Sequence, residues 1–341
     1  MRFFLLIFFL IYSGVHLYFF ARVRGAFTPG PAATACLVLF LAAMIFAPIM
    51  VRLSERGGYE ATARLLAYVG YGWMGLLFLF FCASLTIDLS RLLLHAAEAV
   101  MHRDFLDFSL STRSSFLIAS SCAVCIAVYG YFDALQIRTE RTVIESPKIP
   151  AEIGRIRLVQ ISDVHLGLIV RERRLQRIIG EINKANPDLL VSTGDLVDGQ
   201  INDLSGLVEG LRQIKPRYGK FAVTGNHEYY AGIDQALDFT RKAGFTVLEG
   251  EVTEAACITI AGVNDPAGGQ MGTGRTVAEQ DLLGPLPGSR FTLFLKHRPV
   301  VEKGSAGLFD LQLSGHIHKG QIFPFNLVTR LFYPVKTGFS H

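Results

Sequence analysis

The sequence has little charge and a single tryptophan. Only 18% of its 341 residues are charged, whereas 50% are hydrophobic, and the mean hydropathy is +0.36. This balance excludes an ordinary soluble protein, so we expect part of the chain to lie in lipid. The net charge is only +4, and no stretch rich in Lys and Arg with interleaved aromatic residues occurs, so a nucleic-acid partner is not indicated.

Cysteine is also scarce, and the five cysteines do not suggest a disulfide framework. Cys36, Cys82, Cys122 and Cys125 lie in apolar runs, and only Cys257 lies in the more polar C-terminal part. Cys122 and Cys125 form a C-x-x-C pair without a second pair. We therefore interpret them as small packing residues of an apolar helix and not as a redox or zinc site.

Long apolar runs are what the N-terminal part contains instead. Four of them are long enough to cross a bilayer as helices: about Phe3 to Phe20, Ala32 to Val51, Leu65 to Ile87 and Phe116 to Phe132. The first lacks a small-x-small cleavage site, so we expect it to be retained and not removed as a signal peptide. Between the last two runs, Asp88 to Phe108 is either an interfacial amphipathic helix or a plain connecting loop and helix.

An even number of spans places both ends of the apolar region on the same side of the membrane. The loop between the second and third spans lies on that side too. Together with both ends it holds seven Lys and Arg residues, against five on the other side. The excess favours a cytoplasmic C-terminal part. It is small, so both topologies stay open.

A linker from about Gln136 to Ile153 separates the apolar region, residues 1–135, from a C-terminal domain, residues 154–341. Pro147 and Pro150 break any helix in this linker. The domain that follows carries 21 Lys and Arg and 20 Asp and Glu residues from position 151 onward, which is typical of a soluble domain.

Short apolar runs bounded by turn residues predict the strands of that domain. They are Arg155 to Ile161, Leu189 to Ser192, Phe221 to Thr224, Ile258 to Val263, Phe291 to Leu295 and Leu311 to Leu313. Between the first two, helical spacing from Leu175 to Ile182 predicts a helix that ends at Asn186-Pro187. Strand, helix and strand in succession imply a layered α/β domain.

Acidic, amide and imidazole side chains follow the predicted strands at their carboxyl ends, where open α/β sheets place their sites. The blocks are SDVH with Asp163 and His165, GDLVD with Asp195 and Asp198, GNHE with Asn226, His227 and Glu228, KHRP with His297, and GHIH with His316 and His318. Five of the six histidines of the domain lie in these blocks. Scattered structural histidines are therefore the weaker interpretation.

The residue types in these blocks indicate divalent metal ions. Imidazole nitrogens, carboxylates and an amide oxygen suit Mn, Fe, Co or Zn, whereas an all-oxygen calcium or magnesium site would not use this many histidines. The candidate ligands are Asp163, His165, Asp195, Asn226, His297, His316 and His318. They are too many for one tetrahedral ion and fit two ions that share a carboxylate. Two such ions can hold a bridging hydroxide that attacks a phosphoester.

These blocks resemble the calcineurin-like metallophosphoesterase superfamily, whose pattern is D-x-H, G-D-x-x-D, G-N-H-E/D, a lone His and G-H-x-H. The resemblance covers about Ile156 to Gln321. The run GHIHKGQIFP and the four preceding spans are similar to the membrane-bound bacterial branch typified by YkuE and to animal transmembrane metallophosphoesterases. The resemblance implies a four-layer α/β/β/α sandwich of two mixed sheets between helices, which the strands alone do not distinguish from a doubly wound sheet.

The resemblance also implies a role for each residue. Asp163, His165 and His318 match ligands of one metal, Asn226, His297 and His316 match ligands of a second, and Asp195 matches the bridge. The implied cofactors are two divalent ions, Mn, Fe or Zn. His227 matches the histidine that protonates the leaving group or stabilises the transition state, and Asp198 matches the acid that orients it. Glu228 is interpreted as a structural or supporting residue.

Two positions depart from the family pattern. Lys319 stands where relatives often have Gly, and it either binds a substrate phosphate or lies on the surface. The chain ends at His341, earlier than relatives usually end, so we expect either a shortened domain or an open sheet edge.

The hypothesis is a multi-pass, membrane-bound phosphoesterase of the bacterial inner membrane. It would hydrolyse phosphodiester or pyrophosphate bonds, and its anchor, surrounded by membrane lipids, suggests a lipid-linked substrate. Two alternatives stay open: a non-catalytic metal-binding scaffold with the same fold, and a transporter or membrane sensor regulated by the domain. The ligand set and the histidine acid are complete, which disfavours the scaffold. No interrupted or charged spans resemble a transport path, which disfavours the transporter.

Overall fold

The computed structural model describes residues 2–102, 110–199 and 205–318, together with Leu331, Tyr333 and Gly338. The chain forms two compact units, Met1–Gln136 and Ile137–His341. In the described residues the first unit is helical, and the second combines strands with shorter helices.

The first unit consists of four long helices: α1 (Arg2–Phe27), α2 (Pro31–Arg56), α3 (Glu60–Met101) and α4 (Thr112–Ala134). All four are long and apolar enough to cross a membrane, as the four apolar runs predict. The third helix is longer than expected. Residues 88–101 are helical and continue α3 without a break, so no separate element begins at Asp88. Residues 103–109 of that stretch lie outside the described part of the chain.

Small residues let α2 and α3 approach each other closely. Ala63, Ala67 and Gly70 lie among the buried residues of α3. A Cβ atom on Gly70 would come within 2.7 Å of the Cβ atom of Ala47 on α2, so only glycine fits at this position. Close backbone approach at small residues is a usual way for helices to associate in lipid.

The two cysteines of the C-x-x-C pair are not among the buried residues of these helices. All five cysteines are free, and Cys122 and Cys125 are exposed on α4. The buried residues of α4 are Ser115, Ala119 and Ala123. The interpretation of the C-x-x-C pair as packing residues is therefore wrong.

The second unit begins with an extended segment. Residues 137–157, all of which are described, contain no helix or strand. Lys148 forms an ion pair with Asp310 at 2.8 Å, and Ile149 packs against an apolar core of the same unit. The segment is thus fastened to the second unit.

The remaining elements of the second unit alternate between strands and helices. They are β1 (Leu158–Ile161), α5 (Glu172–Ala185), β2 (Leu189–Ser192), α6 (Ser205–Arg212), β3 (Lys220–Ala222), α7 (Asn226–Ala231), α8 (Ile233–Lys242), β4 (Thr246–Val247), β5 (Glu251–Ala255), β6 (Ile258–Gly262), α9 (Ala267–Met271), α10 (Glu279–Leu283), β7 (Phe291–Leu295) and β8 (Leu311–Leu313). All six predicted strands are confirmed within a few residues. The sequence did not predict β4 and β5.

The strands form two four-stranded sheets, ordered β1-β2-β3-β4 and β5-β6-β7-β8. The first is parallel throughout its described strands, and the antiparallel strand that a mixed sheet would contain is not among them. The second is mixed, because β5 pairs antiparallel to β6 whereas β6, β7 and β8 run parallel.

Side-chain alternation along the strands produces the layers. On β2, Leu189 and Val191 join the core between the two sheets, whereas Leu190 joins the core beneath α5, α6 and α8. On β7, Leu293 faces the other sheet and Phe294 packs against α10. Successive strand residues face opposite sides, so a strand covered on both faces is apolar at every position. The order helix, sheet, sheet, helix confirms the predicted sandwich.

Candidate metal centre

The five polar blocks follow strands of both sheets. Asp163 and His165 follow β1, Asp195 and Asp198 follow β2, Asn226, His227 and Glu228 begin α7 after β3, His297 follows β7, and His316 and His318 follow β8. The strands of each sheet that carry these blocks run parallel. Their carboxyl ends therefore meet at one edge of each sheet, and both sheets contribute donor atoms to one centre.

The backbone turns sharply at many of these positions. Asp163, His165, Asp195, His316 and His318 all have positive φ angles, between 47° and 74°. Residues other than glycine rarely adopt this left-handed conformation, which costs roughly 1–3 kcal/mol each. Such strain is concentrated at functional sites, where the surrounding structure holds it in place.

One cluster of donor atoms, all within 4.8 Å of one another, consists of Asp163, His165, Asp195 and His318. The Nε2 atom of His318 lies 3.3 Å from Nε2 of His165 and 3.2 Å from Oδ1 of Asp163. Both carboxylate oxygens of Asp163 accept the backbone N–H of His316 at 3.0 Å. Burial, followed by the charge of His227, lowers the pKa of His165 and keeps its ring in the neutral form that binds metals.

A second cluster shares Asp195 with the first and adds His297 and His316. The Nδ1 atom of His297 donates to the Thr193 carbonyl at 2.8 Å, so its Nε2 faces Asp195 Oδ2 at 3.2 Å. Burial would lower the pKa of His297, but the hydrogen bond with Asp195 outweighs it and raises the pKa to about 9. Burial and the positive charges of His297 and Arg298 lower the pKa of His316 to about 4.

Asn226 supplies a further donor beside Asp195. The next residue, His227, donates its backbone N–H to Asp195 Oδ1 at 2.8 Å. The Oδ1 atom of Asn226 is buried and has no hydrogen-bond partner among the described residues. A buried polar atom without a partner is costly unless a ligand satisfies it. The carboxylate, imidazole and amide donors together fit divalent metal ions.

Glu228 holds two of the blocks together. Its buried carboxylate accepts the backbone N–H groups of Asp195, Leu196, Val197 and Gly225 at 2.7 to 3.2 Å. Burial and the charge of Asp195 raise its pKa. These four bonds fill the acceptor positions of both oxygens, which agrees with a structural role and leaves no position for a metal.

His227 and Asp198 form a pair beside the first cluster. Nδ1 of His227 lies 2.9 Å from Oδ1 of Asp198. A carboxylate accepts, so Nδ1 carries the proton and Nε2 is the nitrogen left for chemistry. The ring of His227 meets the ring of His165 with 4.5 Å between centroids. Burial would lower the pKa of His227, but the hydrogen bond with Asp198 outweighs it and raises the pKa.

The sequence did not single out Arg298, although it directly follows His297 in KHRP. Its guanidinium donates to both carboxylate oxygens of Asp265, at 2.8 and 2.9 Å, and its charge acts on His316. The sequence does contain a signal for Arg298, because a positively charged residue directly follows the candidate metal ligand His297. Lys319, the substrate-binding candidate from the sequence, lies outside the described residues.

Comparison with known proteins agrees with this geometry. A model of the calcineurin-like phosphoesterase family matches residues 156–320. An uncharacterized metallophosphoesterase of Aquifex aeolicus is 40% identical over 202 residues, which cover 59% of this chain and 77% of that protein. A transmembrane protein with metallophosphoesterase domain of Danio rerio is 34% identical over 278 residues, 77% of this chain and 61% of that protein.

YkuE of Bacillus subtilis, an uncharacterized metallophosphoesterase, is 31% identical over 207 residues, 57% of this chain and 70% of that protein. The resemblance to the YkuE-like and transmembrane branch is therefore confirmed. On its motifs, its layered fold and these relatives, the chain belongs to the calcineurin-like metallophosphoesterase family.

Proposed function

We propose that the chain is a membrane-bound phosphoesterase that binds two divalent metal ions and hydrolyses phosphodiester or pyrophosphate bonds. The observation that carries this proposal is the residue common to both donor clusters. Oδ2 of Asp195 lies 3.8 Å from Nε2 of His165 and 3.2 Å from Nε2 of His297. One ion would be held by Asp163, His165 and His318, the other by Asn226, His297 and His316, with Asp195 between them.

The side chains around this centre divide the chemical work. When bound, a pair of divalent ions lowers the pKa of water and neutralises charge on the attacking and leaving oxygens. His227 supplies the acid, because its Nδ1 is held by Asp198 and its Nε2 is left to protonate the leaving oxygen. The hydrogen bond with Asp198 outweighs burial and raises the pKa of His227, which favours the protonated form that this step needs.

The apolar helices support a place for this chemistry at a membrane. Residues 1–135 would anchor the phosphoesterase domain, residues 154–341, with residues 136–153 as the connection. Four helices have the length and composition of membrane spans, and the Danio rerio relative is named a transmembrane protein. A bacterial inner membrane with the domain on the cytoplasmic side is the arrangement we propose, and a lipid-linked phosphoester is the first substrate class to test.

Metal titration of the full chain in detergent tests the proposal. The metal-free protein should bind two Mn ions per chain and hydrolyse bis-p-nitrophenyl phosphate only once loaded. One bound ion or none would contradict the two-metal assignment. Two bound ions without hydrolysis of diesters, monoesters, phospholipids, UDP-linked lipids or nucleotides would favour a non-catalytic scaffold of the same fold.

A further inference from the structure

Arg298 is fixed in place by a buried carboxylate. Its Nε and Nη2 atoms donate to the two oxygens of Asp265, at 2.8 and 2.9 Å. The side chain of Asp265 is fully buried, and it also accepts the backbone N–H of Ala267 at 2.8 Å. The N–H of Asp265 donates to the hydroxyl of Thr224 at 3.1 Å. A bidentate pair on an anchored carboxylate fixes the plane of the guanidinium as well as its position.

The same pairing leaves part of the guanidinium available. Arginine has five N–H donors, and Asp265 accepts two of them. The remaining donors, on Nη1 and Nη2, have no acceptor among the described residues. The side chain of Arg298 is 27% exposed, so this edge is open to solvent or to a ligand.

The guanidinium of Arg298, with its open edge, lies beside the metal centre. Arg298 directly follows His297, and two tyrosines connect it to other residues of the centre. The Tyr230 ring contacts the His227 ring, and the Tyr333 ring contacts the His316 ring, each with 5.4 Å between centroids. Both phenols are also within electrostatic reach of the Arg298 guanidinium.

A merely structural ion pair would not need this arrangement. Burying a carboxylate is costly, and a pair whose purpose is stability gains little from it. Two other pairs of the same unit differ from this arrangement. Arg290 and Glu254 form a surface pair at the N-terminal end of β7, exposed at 34% and 61%, whereas Lys296 and Glu279 are buried on both sides, at 8% and 5%. Asp265 is buried while its partner keeps an open edge, which is what a positioned binding group requires.

We propose that Arg298 binds the phosphoryl oxygens of the substrate, with Asp265 as the residue that positions it. This inference rests on the proposed function and names a substrate preference. Two parallel N–H groups match two phosphate oxygens, and guanidinium is well suited to such recognition. A fixed positive charge attracts a dianion more strongly than a monoanion. Arg298 should therefore contribute more to the binding of terminal phosphates, such as those of pyrophosphates, than to the binding of diesters.

The test compares Arg298→Gln and Arg298→Lys with the matched control Arg290→Gln in the full, Mn-loaded chain. The first measurement is calorimetric binding of inorganic phosphate, which is largely a dianion above neutral pH. Arg298→Gln should weaken it about 10- to 100-fold, as expected for lost charge-assisted hydrogen bonds. Arg298→Lys should recover part of this loss, because lysine keeps the charge without the planar pair of donors. The control should bind as the wild type does.

The second measurement separates substrate classes. In Arg298→Gln, KM for p-nitrophenyl phosphate should rise more than KM for bis-p-nitrophenyl phosphate, while metal content stays at the wild-type level. Two outcomes would overturn the inference. One is that Arg298→Gln binds phosphate as well as Arg290→Gln does, and the other is that Lys319→Gln loses phosphate binding while Arg298→Gln does not. A wild type that binds metal and phosphate but hydrolyses nothing would refute the proposed function and leave the role of Arg298 in anion binding to the calorimetry.

Discussion

Each of the two units buries a histidine, and the pair separates a structural imidazole from a candidate ligand. His16 in α1 and His297 after β7 are 2% and 1% exposed. In both, Nδ1 lies 2.8 Å from a backbone carbonyl oxygen, that of Tyr12 or Thr193. A carbonyl only accepts, so Nδ1 carries a proton in both rings. Burial and tautomer are therefore alike in the two units.

The other ring nitrogen differs. Nε2 of His16 accepts the indole N–H of Trp73 at 3.0 Å, so the neutral ring is fully satisfied by the protein. Nε2 of His297 faces a carboxylate oxygen of Asp195 at 3.2 Å. Two acceptors that face each other need a cation between them, either a proton or a metal ion. The pKa of His297 is raised to about 9 because, against the effect of burial, Asp195 favours a proton there.

Substitution of Asp195 removes the carboxylate that faces His297, the candidate metal ligand of this comparison, and has the largest expected effect. In Asp195→Asn, an amide group that donates replaces one carboxylate oxygen, and the negative charge between the two clusters disappears. We expect loss of at least one metal ion per chain and a fall in kcat of about 1000-fold or more, since metal stabilisation of the reacting oxygens is worth several kcal/mol. Metal analysis and turnover of bis-p-nitrophenyl phosphate measure both effects.

Asp238→Asn is the matched control for this variant. Asp238 pairs with Lys242 on an exposed face of α8, and its side chain is 59% exposed. The control should keep two ions and wild-type turnover. Full activity in Asp195→Asn would contradict the shared-carboxylate assignment.

Substitution of His227 tests the residue that we propose as the acid, which would act on the substrate and would not bind a metal. His227→Gln should lower kcat by roughly 10²- to 10⁴-fold, the usual contribution of a general acid, while both ions stay bound. An acid matters more when the leaving group is a poor one. The loss should therefore be larger for an alkyl phosphoester than for a p-nitrophenyl ester. Equal losses for both substrates would indicate that His227 stabilises the transition state without protonating the leaving oxygen.

Sequence patterns predict the strands that contain a short apolar run and miss those that do not. The run Leu189 to Ser192 is buried throughout and is followed at once by Asp195 in its block. By contrast, β5 lies at a sheet edge, and its residues Glu251 and Glu254 are exposed, so it lacks an apolar run. With only two residues, β4 is too short to show any period. The local pattern also does not fix strand direction, which is why the parallel first sheet was not foreseen.

The sequence does not predict the full length of α3, because a charged residue such as Asp88 is typical of the end of an apolar span. Asp88 accepts the hydroxyl of Tyr18 at 2.6 Å and pairs with Arg22 at 3.0 Å. Both partners come from α1, 66 or more residues away in sequence, and they satisfy the carboxylate without ending the helix. Non-local pairing of this kind is not visible in a local pattern.

The same reason explains what the sequence revealed of the candidate centre. Each donor block can be recognised from the sequence, because a polar cluster directly after an apolar run is a local signal. The importance of Arg298 depends on Asp265, 33 residues earlier along the chain, and nothing near either residue indicates the pairing. Contacts between distant segments, which give Arg298 its fixed plane, come only from the folded structure.

The smallest expected effect comes from a substitution beside His16, the structural histidine of the comparison. Trp73→Phe keeps an aromatic ring next to Phe19 and Phe40 but removes the N–H that satisfies His16. A hydrogen bond between helices in lipid is worth about 0.6 kcal/mol on average, so the free energy of unfolding in detergent should fall by roughly that amount. Metal content and kcat should not change, because the second nitrogen of His16 faces a donor and needs no cation. Loss of an ion or of turnover in this variant would show that a satisfied imidazole in the first unit takes part in the chemistry of the second. The partner of Nε2 would then not distinguish a structural histidine from a metal ligand.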